Sequence, residues 1–196
     1  MSVAIPALTD GDDLDQVIVN MLVQLGEDPA RDGLVDTPRR VADSLRFLTE
    51  GYAADPHTIV GDAVFEHEAY DEMIVVRDIA FFSLCEHHLL PFFGRAHIGY
   101  LPEGRVVGLS KLPRLVDAFS HRLQLQERMT QEIAEAINSV LTPRGVAVVV
   151  EGRHLCMEMR GVQKENAHTL TSSMLGVFRT DSRTRAEFLS HLRHTH

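Results

Sequence analysis

Along this chain the hydrophobic period switches back and forth between helical and strand spacing, and that order restricts the fold more than any other feature. Leu14, Val17, Ile18, Met21, Leu22 and Leu25 recur at helical spacing, with Asp12 or Asp13 as cap and Gly26 just past the end. Thr37-Pro38 opens a second helix, a capping residue followed by proline at the first helical position. That helix turns Val41, Leu45 and Leu48 inward and stops at Gly51. From Met73 to Cys85 the texture is strand, and residues 94–102 and 105–109 add two more strands around the turn Pro102-Glu103-Gly104. Ser110 caps a helix through Leu112, Leu115, Val116 and Phe119. A longer one from Gln126 to Leu141 carries Met129, Ile133, Ile137 and Val140 on one stripe. Residues 146–161 and 169–178 return to strand texture, and Ser182 starts a helix through Ala186, Leu189 and Leu192. Hairpin-like strand pairs flanking a helix pair imply an α+β fold with an antiparallel sheet, two long helices covering one face. A sheet of few strands leaves edges that call for another subunit.

At 196 residues, 44% hydrophobic and 24% charged, the chain can bury a real core. No apolar run reaches the roughly 18 residues a membrane span needs. The N-terminus has neither a basic stretch nor a long apolar one, so a secretory signal is not expected and the location is read as cytoplasmic. Residues 1–12 read as a loose tail, and the terminal His191, His194 and His196 as a solvated one rather than a chelate. The net charge of −9 argues against a broad nucleic-acid-binding surface. An acidic protein that handles an anion must gather its cations locally.

The only cysteines are Cys85 and Cys156. A structural disulfide is not expected in such a chain. Taken without context, each cysteine reads as a small buried hydrophobe or as a ligand. Cys85-Glu86-His87-His88 sets a thiolate and an imidazole one turn apart, a chelating spacing for zinc. In the second segment a strand would put His154, Cys156, Glu158 and Arg160 on one face and Leu155, Met157 and Met159 on the other. Cysteine among charged neighbours is better explained as a ligand than as part of a solvated face. Cys85, His88 and Cys156 then make three ligands with a fourth position open, the pattern of catalytic zinc, which can lower the pKa of a bound water toward neutrality. His87 or His154 could close the site as a fourth ligand, but their spacing suits proton carriers better.

These residues resemble GTP cyclohydrolase I. The run Glu72 to His88 is similar to one signature of that family, and Ser120 to Thr130, with its Gln-Leu-Gln-Glu-Arg core, to another. Gly108-Leu109-Ser110-Lys111, His154-Leu155-Cys156 and Arg160-Gly161 also fit, in order. The resemblance implies a tunnelling fold assembled into a ring, a homodecamer of two pentamers with sites between subunits and scope for allostery. Residues 13–55 would form an N-terminal helical region and 56–196 the catalytic domain. The implied reaction converts GTP and water to 7,8-dihydroneopterin triphosphate and formate, entering folate or pterin synthesis, with no nucleic-acid or membrane partner.

Position by position, the resemblance makes Cys85, His88 and Cys156 ligands of Zn2+, and His87 and His154 catalytic. It gives Ser110 to the ribose and phosphates, and Gln126 and Glu127 to guanine. Lys111, Arg114 and Arg160 go to the triphosphate, with Arg40 reaching it from a neighbouring subunit. Ala167, beside His168, stands where family members often have serine, which removes one polar contact. Two other readings compete: a non-enzymatic zinc module with four protein ligands, and a sister enzyme on the same fold, for which no nicotinamide signature is visible.

Overall fold

A computed structural model describes residues 13–67 and 70–192. Asp12, His194 and His196, named above, lie outside them. The chain divides into two compact units between Phe47 and Leu48. In the first, α1 (Leu14–Gln24) buries Ile18 and Leu22, and α2 (Thr37–Leu48) buries Pro38 and Ala42. Val41 and Leu45 are only half-buried. Arg46 pairs with Asp13, Asp15 and Asp43. Asp13 caps α1 by backbone conformation, without a side-chain hydrogen bond.

The second unit is built on a five-stranded sheet in the order β5-β2-β3-β6-β7. Its strands are β2 (Ile74–Cys85), β3 (Pro91–Leu101), β5 (Leu123–Gln124), β6 (Gly145–His154) and β7 (His168–Gly176). All neighbours are antiparallel except the two-residue pairing of β5 with β2. A small ribbon pairs β1 (Val64–Glu66) with β4 (Arg105–Val107). Short helices α3 (Pro56–Val60), α6 (Leu155–Glu158) and α7 (Val177–Thr180) punctuate the chain.

Two helices cover one sheet face. Leu112, Leu115, Val116 and Phe119 of α4 (Lys111–Ser120) and Met129, Ile133 and Ile137 of α5 (Gln126–Leu141) are buried with Phe81, Phe92, Ile98, Tyr100, Val148 and Val150. The bounds of α5 coincide with the sequence expectation, because an apolar stripe at helical spacing defined them at both ends. On the other face Ala147 and Val149 pack with Phe178 and with Phe188 of α8 (Ser182–Leu192). Phe82 and Leu170 remain exposed.

One strand reading fails. Residues 155–158 form a helical turn, so β6 ends at His154. The even–odd alternation through Arg160 is therefore not a pair of sheet faces, and Met157 and Met159 are exposed instead of core. Arg153 forks onto both carboxylate oxygens of Glu158, at 2.9 and 2.6 Å. In a continuing strand these residues would stand about 17 Å apart. Their pairing accompanies the turn that ends the strand.

Candidate metal centre and the residues around it

The sheet brings several chain segments to one end. β2 finishes at Cys85, where β3 begins six residues later, and Phe92 of β3 is in register with His154 at the end of β6. Arg153 is in turn in register with His168, where β7 begins. β5 pairs alongside Cys85 through Gln124, which leads directly into α5.

The β2–β3 connection is a tight turn. His88 N–H and Leu89 N–H both donate to Cys85 O, and Cys85 N–H donates to Leu90 O. Leu89 takes a left-handed conformation to close it. This folds His88 back toward Cys85, with Nδ1 3.9 Å from Sγ. The α6 turn supplies Cys156, and ligand atoms of Cys85, His88 and Cys156 all lie within 4.8 Å of one another. Tetrahedral zinc with ordinary bond lengths sets two sulfurs about 3.8 Å apart and a sulfur and nitrogen about 3.6 Å apart. The group therefore needs only a small contraction to hold an ion, and two thiols with an imidazole are a donor set that zinc favours. Burial, and next the neighbouring Cys85, push the Cys156 thiol above its ordinary range. A cation held by both sulfurs would favour their thiolate forms instead.

Flanking contacts brace both halves. Arg128 on α5 pairs with Glu86, donates to Gln124 Oε1 at 3.0 Å, and so ties the ligand turn to the helix. The Arg153–Glu158 fork holds the turn that carries Cys156, and it keeps the Glu158 carboxyl below its usual range. Neither pair was named from sequence. The only available sign was that each cation stands beside a site residue.

His154 is half-buried, its ring stacked face to face on Phe92 at 4.6 Å and 3°. Its Nε2 lies 2.8 Å from Gln126 Oε1. Burial holds its pKa below the ordinary imidazole value, opposed by the charge of Glu127. His87 is exposed, edge-on to the His88 ring. Arg160 Nη1 stands 3.2 Å from His88 Nε2, a guanidinium at the border of the ligand group.

The remaining expected residues are dispersed. Gln126 is 1% exposed, with its amide bonded to protein groups. Glu127 is exposed on the first turn of α5 and lines a cavity of about 570 Å³ with Gln131, Ser172 and Arg179. Ser110 is exposed and makes no side-chain cap bond. Lys111 donates to Ile59 O at 2.9 Å. Arg114 lines a separate cavity of about 340 Å³ with Glu50, Asp117 and His121. Arg40, in the first unit, pairs with Asp36 at 2.9 Å. Ala167 is half-buried just before β7.

The family model for GTP cyclohydrolase I matches residues 14–193. A GTP cyclohydrolase 1 of Chlorobium chlorochromatii is 58% identical over 178 residues, covering 91% of this chain and 79% of the relative. That of Chlorobaculum tepidum is 57% identical over 176 residues, covering 90% and 78%. That of Leptospira biflexa is 54% identical over 180 residues, covering 92% and 98%. With a family match of this extent and relatives this similar, the chain belongs to the GTP cyclohydrolase I family.

Proposed function

We propose that this enzyme opens the purine of GTP by hydrolysis at C8, releases formate and yields 7,8-dihydroneopterin triphosphate, as a first step of folate or pterin synthesis. The observation that carries the reading is the convergence of Cys85, His88 and Cys156 at one end of the sheet. Those three residues would hold zinc, which when bound supplies Lewis acidity and lowers the pKa of a water toward neutrality.

The protein's own groups supply the rest. His154, kept largely neutral by burial, takes or gives the proton at the opening purine ring. His87, exposed beside His88, is the second proton carrier. The Glu127 carboxylate accepts from N1–H and the 2-amino group of guanine, and adenine would leave it unpaired. Arg160 takes phosphate at the edge of the ligand group, where a guanidinium fork suits the anion. Ser110, Lys111 and Arg114 contact ribose and triphosphate, and Lys111 would exchange Ile59 O for phosphate to do so.

Assembly fits the same reading. β7 ends the sheet order and pairs only with β6 among the described residues, while Phe82 and Leu170 are exposed. Edges and apolar side chains of this kind favour association with further copies. A tunnelling fold closed into a ring, two pentamers forming a decamer, would cover them and let Arg40 enter a neighbour's site. In that arrangement residues 13–55 are an N-terminal helical region and 56–196 the catalytic domain of a cytoplasmic enzyme.

The test is zinc-loaded protein incubated with GTP and, separately, ATP. Formate and, after oxidation, a fluorescent pterin are expected from GTP alone. Full zinc occupancy with neither product would defeat the proposal.

A further inference from the structure

We propose that Gln126 is the positioning residue for His154, fixing its ring and tautomer so that Nδ1 is the nitrogen presented to the substrate. The inference rests on the role proposed for His154.

Hydrogen-bond polarity forces it. The Gln126 amide nitrogen donates to Val150 O at 3.1 Å and Thr169 O at 2.9 Å, with Thr171 Oγ1 also at 3.1 Å. Backbone carbonyls only accept, so the amide must present its NH2 group to them. A flipped amide would set Oε1, an acceptor, against two carbonyl oxygens in a buried pocket. Oε1 therefore faces His154, and a 2.8 Å contact to an acceptor oxygen requires the hydrogen on Nε2. This holds for the neutral and the charged ring alike, since imidazolium carries both hydrogens. In the neutral ring Nδ1 is then the bare nitrogen.

The surroundings lock the arrangement. Phe92 stacks on one face of the ring. A Cβ on Gly152 would come within 2.6 Å of Gln126 Oε1, so glycine there makes room for the amide. Thr130 Oγ1 donates to Gln126 O and lies 2.7 Å from Thr171 Oγ1, joining α5 to β7 beneath the amide. Both amide hydrogens are already engaged, so a guanine contact from Gln126 would require dismantling this network. The expected guanine pair thus divides: the exposed Glu127 reaches the base, and Gln126 orients the proton carrier.

The test begins with the unaltered, zinc-loaded protein carrying 15N-histidine. Its solid-state 15N spectrum, with the His154 signal assigned by loss in His154→Gln, should show a protonated Nε2 and a bare Nδ1. The reverse tautomer overturns the inference, and this measurement needs no folded Gln126 variant. In Gln126→Leu, kcat should fall about 100-fold. KM for GTP should stay within roughly threefold, and the preference for GTP over inosine triphosphate should be unchanged. A raised KM with a narrowed preference would make Gln126 a base contact and overturn the inference. If His154→Ala keeps full turnover, the role of His154 falls and takes this inference with it. If His154→Ala loses turnover while Gln126→Leu keeps it, only this inference falls.

Discussion

The turn around Cys85 and the start of α4 both carry residues expected at one site, yet a single chain brings them to different degrees of completion. At the turn, backbone bonds fold His88 onto Cys85, and Arg128 and Arg153 brace the neighbouring segments. At α4, Lys111 is bonded to a backbone carbonyl and Arg114 lines a cavity apart from the ligand group. The ligand group depends on local turns at strand ends, so one chain can assemble it. The proposed triphosphate contacts have no such local source. Several cations held together without an anion would repel one another, and Lys111 and Arg40 are each bonded to a protein acceptor instead.

Substitutions should separate the two regions. Cys156→Ala should lose stoichiometric zinc and lower turnover by roughly 10³-fold or more, measured as metal content and formate release. Retained zinc with a full rate would end the ligand assignment. His154→Ala should keep zinc and lose about 10²- to 10⁴-fold in kcat. Arg153→Ala frees the turn that carries Cys156. Zinc affinity should fall about 10- to 100-fold, read by competition with a chelator, while turnover at saturating zinc stays close to the unaltered enzyme. Lys111→Ala should leave zinc binding unchanged and raise KM for GTP about tenfold, the loss of one charge-assisted contact. If it released zinc instead, the two regions would not be separable.

The smallest effect lies away from both. His97 is buried and accepts from Asp78 N–H at the bulge in β2, and burial lowers its pKa. Below about pH 6.5 the unfolded chain binds a proton at this ring more readily than the folded one, so stability falls as pH drops through that value. Denaturant unfolding at pH 7.5 and 5.5 should show the loss, and His97→Gln should reduce it. An unchanged slope would mean that other groups govern it.

Much of the fold was legible because period alone separates helix from strand. The apolar stripe of α5 and the continuous apolar run of β6 leave little choice, and both were located from spacing. The nearness of His88 to Cys85 was legible because chelating spacing within a turn is local, whereas Cys156 was reached through a strand alternation that the structure does not keep. What sequence could not show depends on distant partners. Alternation from His154 to Arg160 imitated a strand, but the chain turns at Leu155. The role of Gln126 is set by the carbonyls of Val150 and Thr169, which no spacing rule connects to it. Lys111 looked like a phosphate contact, and its bond to Ile59 O became visible only in three dimensions.

The most direct test of an open centre built from the three proposed ligands is X-ray absorption at the zinc edge of the zinc-loaded protein. Two sulfurs at about 2.3 Å with two lighter atoms at about 2.0–2.1 Å are expected, one of the lighter atoms exchangeable. Two sulfurs with two tightly held imidazoles, or one sulfur alone, would contradict an open centre built from Cys85, His88 and Cys156.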